Sequence, residues 1–472
     1  MANFTGNGAP TKHTVGAVGD IYINTITGEK YKCVQNVTIK TNKRTTICYE
    51  WDLVVLREPY ECSVANTDSE DGLVMKTLTE YTNPRVSYIG DYAFYGCSSL
   101  LSVNIPLCMS VGDYAFASCS SLTNANFPAC TYVGSLAFYN CSLLSTISFP
   151  ACTDIGASAF LNCIALTNAN FPACTTVGVS AFRNCSSLSN ANFPACTNIE
   201  SAAFSNCSSL TDANFPDCSY VGTAGFYDCT SLINISFPTC NTISASAFLG
   251  CTSLLEVSFP ACINIEASAF RKCTMLTSID APSCKSIGKG AFAFCSSLSN
   301  ISFPACTYID QHAFGALSLI SNANFPACKT IKAYAFQSCT GLTDADFPKC
   351  TTLESNAFNG CTSLTNINFP ICGKVSSATF TGCSLLNNVN LPACSDIGSF
   401  AFAGCNLLMS LTLGYSSVVY LQYSNAFNNT PFGNSTYTGT FGSIYVPASL
   451  VDSYKAASNW SYYADRITAI VE

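Results

Sequence analysis

Charge is scarce in this sequence. Of its 472 residues only 10% are Asp, Glu, Lys or Arg, and the formal net charge is −8. A nucleic-acid-binding protein normally presents a basic face, so we expect no nucleic-acid partner. Histidine is almost absent, since His13 and His312 are the only two in the chain. This scarcity excludes most forms of imidazole catalysis and all histidine-rich metal sites.

Long apolar runs are also missing. No run approaches the ~18 apolar residues that a membrane-spanning helix requires, so we expect no membrane span. The opening segment MANFTGNGAPTKHTVG has no basic stretch followed by an apolar one, so we expect no secretory signal peptide. The sequence contains no nucleophile elbow, phosphate-binding loop, paired-carboxylate signature or metal-ligand cluster. We therefore expect a protein that is not an enzyme and that uses no cofactor.

What the sequence has in abundance is repetition. Phenylalanine recurs every 22 residues from Phe94 to Phe402 without a gap, and proline does so from Pro84 to Pro392. A longer period of 88 residues relates Arg183 to Arg271 and indicates a duplicated block of four repeats. A fixed period of about 20–29 residues is typical of a solenoid, in which each repeat forms one coil stacked on its neighbours.

The first half of each repeat reads L-x-x-A/I-x-F-P-x-C, as in the stretch LTNANFPAC that begins at Leu166. This is the leucine-rich-repeat pattern. Its alternation of apolar and polar residues predicts a short strand with one face inward, such as the one containing Ala169 and Phe171. The proline that follows ends the strand, because it has no N–H to donate to a neighbouring strand.

The second half of each repeat reads V-G-x-x-A-F-x-x-C. We predict that its valine, alanine, phenylalanine and cysteine point into the core. The glycine suggests a turn that requires a positive φ. The glycines concerned are Gly112, Gly134, Gly156 and Gly178.

The segment IGDYAFYGCSSL, residues 89–100, and its later copies resemble the BspA-type leucine-rich repeats of bacterial surface proteins, viruses and protists. The resemblance covers residues 78–413. It implies a β-rich, leucine-rich-repeat-like solenoid of about fifteen 22-residue coils, with a small N-terminal β domain and a C-terminal capping segment. It also implies that the repeats serve adhesion.

Cysteine is the most unusual feature of the composition. Of 31 cysteines, 28 fall in two columns that run from Cys97 to Cys405 and from Cys108 to Cys394, and only Leu317 interrupts them. Disulfides are compatible with the expected distance between coils. A metal site is disfavoured by the wide spacing and by the lack of histidines. We favour buried free thiols, because a leucine serves equally well in one of these positions.

Residues 1–57 depart from the repeat and are predicted to form a small β module. VGDIYINTITGEKYKCV predicts two strands around the turn Thr27-Gly28, and TTICYEWDLV predicts a third. This segment resembles small modules of phage tail-fibre and other virion proteins, through Gly19-Asp20-x-Tyr22, Tyr31-Lys32-Cys33 and Trp51. Residues 58–77 are predicted to be a linker.

Residues 414–472 are predicted to form a cap that covers the open end of the core, with a strand, a short helix and a closing strand. The segment resembles the one that often ends BspA-type arrays. A binding tip around Trp460 is the alternative interpretation of this segment.

Three functions remain open. The first is a structural phage virion protein, such as a tail fibre, that binds a host cell-surface glycan or protein. The resemblance of the N-terminal module implies attachment to other virion proteins, possible homo-oligomers, and assembly in the bacterial cytoplasm. The second is a BspA-like adhesin on a bacterial cell surface. The third is a purely structural rod or filament subunit.

The candidate ligand-binding residues lie on the outward face of the predicted strands. The position between the two core residues is small and polar in copy after copy, which would give a ladder of hydrogen-bonding groups. Such a ladder can be a platform for a glycan, or simply a solubilising surface whose asparagines bond along the stack. The candidates are Asn126, Asn170, Asn192 and Asn214, with Tyr132, Tyr220 and Tyr308 on a neighbouring edge.

Overall fold

The computed structural model describes residues 78–82, 86–433 and 440–470 with their side chains. Of the preceding segment it describes the backbone of five strands, β1 to β5. They span Asn3–Gly6, Ile21–Asn24, Lys30–Thr41, Thr45–Leu53 and Ser63–Val64.

Strands β2, β3 and β4 lie where the sequence predicts strands, whereas the sequence does not predict β1. β2 pairs antiparallel with β3, β3 pairs antiparallel with β4, and β1 runs parallel to β2. The predicted turn Thr27-Gly28 lies outside the described residues, and so does the predicted linker at 58–77 apart from β5. The boundaries proposed for the N-terminal module and the linker stay predictions.

The chain forms two compact units. One comprises residues 1–196 and 206–210, and the other comprises residues 197–205 and 211–472. Both contain turns of a β-solenoid, about 17 in all, which confirms the predicted fold class. The count exceeds the expected fifteen because Leu78–Thr82 in the first unit and Ser443–Val446 in the second add strands outside the phenylalanine column.

Each regular turn contributes one three-residue strand and one two-residue strand. The three-residue strands are Ser102–Asn104, Asn124–Asn126, Thr146–Ser148, Asn168–Asn170, Asn190–Asn192, Asp212–Asn214, Asn234–Ser236, Glu256–Ser258, Ser278–Asp280, Asn300–Ser302, Asn322–Asn324, Asp344–Asp346, Asn366–Asn368, Asn388–Asn390 and Ser410–Thr412. The two-residue strands are Tyr88–Ile89, Ser110–Val111, Tyr132–Val133, Asp154–Ile155, Thr176–Val177, Asn198–Ile199, Tyr220–Val221, Thr242–Ile243, Asn264–Ile265, Ser286–Ile287, Tyr308–Ile309, Thr330–Ile331, Thr352–Leu353, Lys374–Val375, Asp396–Ile397 and Tyr420–Leu421.

Within each unit a strand pairs in parallel with the same strand of the next turn. Asn168–Asn170 pairs with Asn190–Asn192 in the first unit, so that Ala169 lies opposite Ala191. Ser278–Asp280 pairs with Asn300–Ser302 in the second unit. Ala169 is buried between two exposed asparagines, as the alternation predicts. The repeat period therefore sets the register, because every turn meets an identical face of its neighbour.

Two columns of phenylalanine fill the core. In the first unit Phe94 and Phe116 are fully buried, and their rings stack with centroids 4.9 Å apart. In the second unit the rings of Phe204 and Phe226 stack at 5.3 Å. A ring of the second column, Phe215, meets Phe226 edge-on at 5.9 Å. Each ring thus has stacked and edge-to-face partners, the two geometries that aromatic pairs prefer.

The positive φ predicted for the glycines in the second half of the repeat is wrong. Gly112, Gly134, Gly156 and Gly178 do not have a positive φ. A Cβ on Gly134 would lie 2.6 Å from the carbonyl carbon of Gly112, because the backbones of successive turns touch there. Glycine is therefore selected at Gly134 for close approach of two backbones.

Positive φ occurs instead at two positions that flank the buried phenylalanine. Around Phe160 these are Ser158, with φ 56°, and Asn162, with φ 63°. Most copies use a residue other than glycine at both places. Asparagine is common at the second of them, because its short polar side chain tolerates the left-handed conformation.

The described ladder cysteines are free and buried, as predicted. In the column of Cys119 the thiol donates to a backbone carbonyl 25 positions earlier, in that case Phe94 at 3.1 Å. In the column of Cys130 the thiol donates two positions ahead, to the carbonyl of Tyr132 at 3.1 Å. Burial raises the pKa of the Cys108 thiol to about 11. The Cys108 thiol, which donates to the carbonyl of Ser110 at 3.1 Å, is therefore a protonated, hydrogen-bonded core group.

The C-terminal segment has the predicted strand, short helix and closing strand. Ser443–Val446 pairs in parallel with Ile467–Ala469, and helix α1 spans Val451–Ala456. Three 3-10 turns span Ser424–Phe427, Ala448–Leu450 and Trp460–Arg466. In the part of the chain that the structure describes, no helix has the length and apolar character needed to cross a membrane.

Candidate functional site

The outward positions of the three-residue strands form the candidate strand face. Asn170 and Asn214 are exposed, whereas Asn126 and Asn192 are half-buried. All four belong to three-residue strands, as the sequence predicts; the central residues Ala125, Ala169 and Ala191 are buried, whereas Ala213 is half-buried.

Amide groups on this face bond along the stack. Nδ2 of Asn126 donates to Oδ1 of Asn104 at 2.8 Å, and Nδ2 of Asn192 donates to Oδ1 of Asn170 at 2.7 Å. An asparagine amide carries two N–H donors and an oxygen with two lone pairs. Each of these ladder bonds uses one donor of one amide and one lone pair of the next. The bonds also hold the amides in fixed orientations.

The strand face is slightly hollow in the second unit. A depression of about 450 Å³ lies over the strands between Asn234 and Ser302. Hydroxyls of Ser236 and Ser258 and carboxylates of Glu256 and Asp280 line it. Its shape and its polar lining suit an extended hydrophilic chain better than a compact apolar ligand.

A second amide ladder lies at the left-handed position before the core cysteine, and the sequence analysis did not single it out. Asn162 donates to Asn140 at 2.7 Å, Asn184 donates to Asn162 at 2.8 Å, and Asn206 donates to Asn184 at 2.9 Å. In the sequence, this ladder corresponds to an asparagine that directly precedes the cysteine in four successive copies. These side chains are half-buried, so the ladder mainly stabilises the stack.

A second cavity, which we call the basic-aromatic pocket, lies among turns near residues 267–338 of the second unit. It has a volume of about 460 Å³ and is lined in part by Arg271, Lys289, Phe294, His312 and Gln337. No single motif of the sequence predicts it. In the sequence, the pocket corresponds to an interruption of the repeat. Glycine and alanine occur there at positions where many other copies carry larger or polar side chains.

The repeats match a known family. Residues 75–178, 153–276, 219–343 and 329–448 match the model of the BspA type leucine rich repeat region with six copies. These matches cover well over half of the chain. The chain belongs to the BspA-type leucine-rich repeat family.

Solved structures share the BspA-type solenoid. The chain is 18% identical to a leucine-rich repeat protein from Bacteroides ovatus, with a TM-score of 0.53 over 93% of this chain and 99% of that chain. A leucine rich cell surface protein from Faecalibacterium prausnitzii is 24% identical, with a TM-score of 0.36 over 62% of this chain and 89% of that one. The first of these similarities shows the fold. A comparison with curated proteins gave no significant match.

The tyrosines predicted on a neighbouring edge of the BspA-type array belong to the two-residue strands, in a different sheet from the asparagines. Tyr132 is 43% exposed and Tyr220 is 39% exposed. Tyr308 is half-buried, although all three tyrosines are expected to be exposed if they add contact area for a ligand. Burial, followed by the charges of Asp113 and Asp154, raises the pKa of Tyr132, which therefore stays a neutral hydrogen-bonding group at pH 7.

Trp460, the candidate for a binding tip, is buried with 1% of its surface exposed. Its indole Nε1 donates to the backbone carbonyl of Val419 at 2.7 Å, and the Tyr454 hydroxyl accepts from the N–H of Val419 at 3.1 Å. The ring therefore forms part of the core of the capping segment. No group of His, Cys, Asp or Glu suited to hold a metal occurs among the described residues.

Proposed function

We propose that this BspA-type protein is a non-catalytic adhesin whose strand face binds a repetitive polymer on a cell surface. The ladder amides carry the proposal, because they recur on one sheet at the spacing of the turns and are held in fixed orientations by bonds along the stack. A polymer with its own repeat can engage several turns at once. Weak contacts at each turn then sum to a useful affinity.

We place this adhesin in a phage virion, where it would bind a host cell-surface glycan or protein. The resemblance of residues 1–57 to virion modules supports this placement, through Gly19-Asp20 and Trp51 in particular. In this setting the N-terminal module contacts other virion proteins, and a homo-oligomer would multiply the number of binding faces. Assembly takes place in the bacterial cytoplasm.

The second candidate is an adhesin on the surface of a bacterial cell. Membership of the BspA-type family favours it, since leucine-rich repeats of this kind occur on bacterial surfaces. The two settings differ in where the chain is found. Antibody labelling of purified phage particles and of intact producer cells distinguishes them, because an adhesin of the virion labels the particles and leaves the cells unlabelled.

Binding to cells tests the adhesin proposal itself. The triple variant Asn126→Ala, Asn170→Ala, Asn192→Ala removes three amides of the strand face from the first unit. We expect it to reduce the amount of purified protein bound to host cells at least ~10-fold, because multivalent contacts are lost together. If the variant binds as much as the natural protein, the strand face is not the binding surface.

A matched control alters the other sheet of the same unit. The hydroxyls of Thr131, Thr153 and Thr175 each donate to a carbonyl of the preceding turn, at 3.1, 3.1 and 3.3 Å. Replacing all three by alanine removes three inter-turn hydrogen bonds without touching the strand face. We expect this variant to bind cells like the natural protein.

A further inference from the structure

The basic-aromatic pocket is a local departure from the repeat. The residue after the buried phenylalanine is Arg271 in one copy, but it is Ala293 and Gly315 in the next two and Gln337 in the fourth. Gly290 and Ala316 add further small residues to the lining. The missing side chains leave a hollow of about 460 Å³, within the ~300–1,000 Å³ range of small-ligand sites.

Other columns change in the same stretch of the chain. Ala281 replaces the phenylalanine of the second core column, and Leu317 is the single break in the cysteine columns. Elsewhere these columns are almost unbroken. Departures from an otherwise consistent pattern are expected at functional sites, where binding rather than stability selects the residue.

The charge of the pocket contrasts with that of the protein. Arg271 and Lys289 supply two cations, and none of the lining residues is acidic, although the chain carries a net charge of −8. Burial, followed by the charges of Lys289 and Arg271, lowers the pKa of His312, so its imidazole is neutral at pH 7. The two long cationic side chains therefore define the charge that a ligand meets.

The exposed aromatic ring of Phe294 lies next to the Arg271 guanidinium. Phe294 is 48% exposed and has φ 65°, at a position where most other copies carry glycine, asparagine or serine. The Arg271 guanidinium carbon lies 5.4 Å from the centre of its ring. A bulky side chain in the left-handed region is unfavourable, and exposure of its ring to water is unfavourable as well. Such a combination is typical of a residue retained for binding.

The pocket is built on a firm backbone. The N–H of Phe294 donates to the carbonyl of Gly315 at 3.1 Å, and the N–H of Ala316 donates to that of Gln337 at 2.8 Å. The ring of His312 stacks on Tyr334 with centroids 4.9 Å apart. Residues from successive turns are therefore held in place before a ligand arrives, which lowers the entropy lost on binding.

We propose that the basic-aromatic pocket binds one anionic saccharide unit, with its carboxylate or phosphate at Arg271 and Lys289 and its ring on Phe294. The inference rests on the proposed function and names the class of polymer that carries the unit. Gln337, Ser338 and Ser268 line the same hollow and can bond to sugar hydroxyls. A nucleic acid fits less well, because the net charge of −8 opposes a long polyanion.

Calorimetric titration of the full chain tests this assignment, with digalacturonate and glucose 1-phosphate as anionic probes and maltose as the neutral one. We expect the natural protein to bind at least one anionic probe with Kd in the ~mM range, and maltose at least ~10-fold more weakly. Binding of digalacturonate identifies the anionic group as a carboxylate, and binding of glucose 1-phosphate identifies it as a phosphate. The double variant Arg271→Gln, Lys289→Gln should weaken anionic binding at least ~10-fold.

Two matched variants complete the test. Arg183→Gln changes the equivalent arginine 88 residues earlier, in the first unit, and should leave binding unchanged. Phe294→Ala should weaken binding of whichever anionic sugar the natural protein binds, but should not weaken any binding of inorganic phosphate, because it removes only the ring contact. The assignment is overturned if the double variant binds like the natural protein, if maltose binds as tightly as the anionic probes, or if inorganic phosphate alone binds.

This test separates the pocket from the adhesin proposal. If cells bind the natural protein but not the strand-face triple variant, and the sugar titrations are negative, the pocket assignment fails and the adhesin stands. If the titrations depend on Arg271 and Lys289 but no cell binds the protein, the adhesin proposal fails and the pocket stands.

Discussion

The thiol of Cys119 donates a hydrogen bond to the backbone carbonyl of Phe94, 25 positions earlier, with Sγ and O 3.1 Å apart. The same carbonyl oxygen of Phe94 also accepts a hydrogen bond from the N–H of Cys97. The thiol of Cys119 therefore bonds to the second lone pair of that oxygen. This contact connects one turn to the preceding one and recurs along the column. It gives a physical reason for keeping cysteine where any small apolar residue would fill the space.

Alkaline pH should destabilise the fold. Burial raises the pKa of Cys108, Cys240 and Cys394 to about 11 from the ordinary value of 9.0. Between these values the unfolded chain loses thiol protons that the folded chain keeps, so the free energy of unfolding falls as pH rises. Each such thiol contributes a slope of up to ~1.4 kcal/mol per pH unit.

Denaturant unfolding followed by circular dichroism at pH 8, 9, 10 and 11 measures this effect. We expect the denaturant concentration at the unfolding midpoint to fall steadily above pH 9. Below pH 9 the thiols should change this midpoint little. Thiol labelling at pH 8 provides the control, since the ladder cysteines should react in the unfolded chain and resist in the folded one. A midpoint that holds constant to pH 11 would show that the thiols are not buried.

Replacement of Phe226 by alanine should lower the free energy of unfolding by ~3–5 kcal/mol. Its ring is fully buried and stacks on Phe204 at 5.3 Å and Phe248 at 5.4 Å, so the variant leaves a cavity with two unpaired ring faces. Leu319→Ala is the control, because that side chain is 56% exposed. Equal losses for the two variants would show that the column is not the core.

The asparagine ladder at the left-handed position affects stability in two separable ways. Its amides form hydrogen bonds between turns, and asparagine tolerates a positive φ. Asn162 has φ 63° and bonds to both Asn140 and Asn184. Asn162→Ala loses the bonds and adds strain, whereas Asn162→Gly loses the bonds and relieves strain. We expect losses of unfolding free energy of ~2 kcal/mol for alanine and ~1 kcal/mol for glycine. An alanine variant that is as stable as the glycine variant would contradict the left-handed conformation.

Trp460 should matter for the stability of the capping segment. Trp460→Phe removes the bond to the Val419 carbonyl and leaves that buried group unpaired, at a cost of ~1–3 kcal/mol. Hydrogen exchange should accelerate for residues 440–470, while the variant Tyr462→Phe, at a 66% exposed site, should exchange like the natural protein. Unchanged protection in Trp460→Phe would show that the ring is not packed there.

The sequence period predicts the core of this fold well. Because the strand pattern has period two and the repeat is constant, the inward positions of Ala169 and Phe171 follow from the sequence alone. The free thiols also follow, since Leu317 shows that an apolar group satisfies the column. The C-terminal strand, helix and closing strand follow from local pattern.

Other features depend on how the turns meet and could not be predicted. The close approach at Gly134 and the left-handed conformation of Asn162 arise from backbone contacts between residues far apart in sequence. The burial of Trp460 depends on Val419, 41 positions earlier. The basic-aromatic pocket combines side chains from several copies, so no single motif contains it.

The dependence of affinity on ligand length tests the central claim, that the strand face binds a repetitive polymer through several turns. Oligomers of host wall polysaccharide, fractionated from one repeating unit upward, are titrated into the natural protein and into the Asn126→Ala, Asn170→Ala, Asn192→Ala variant. We expect affinity for the natural protein to rise at least ~10-fold with length, and the variant to lose most of that gain. An affinity that is the same for one unit as for many, in both proteins, would contradict the account.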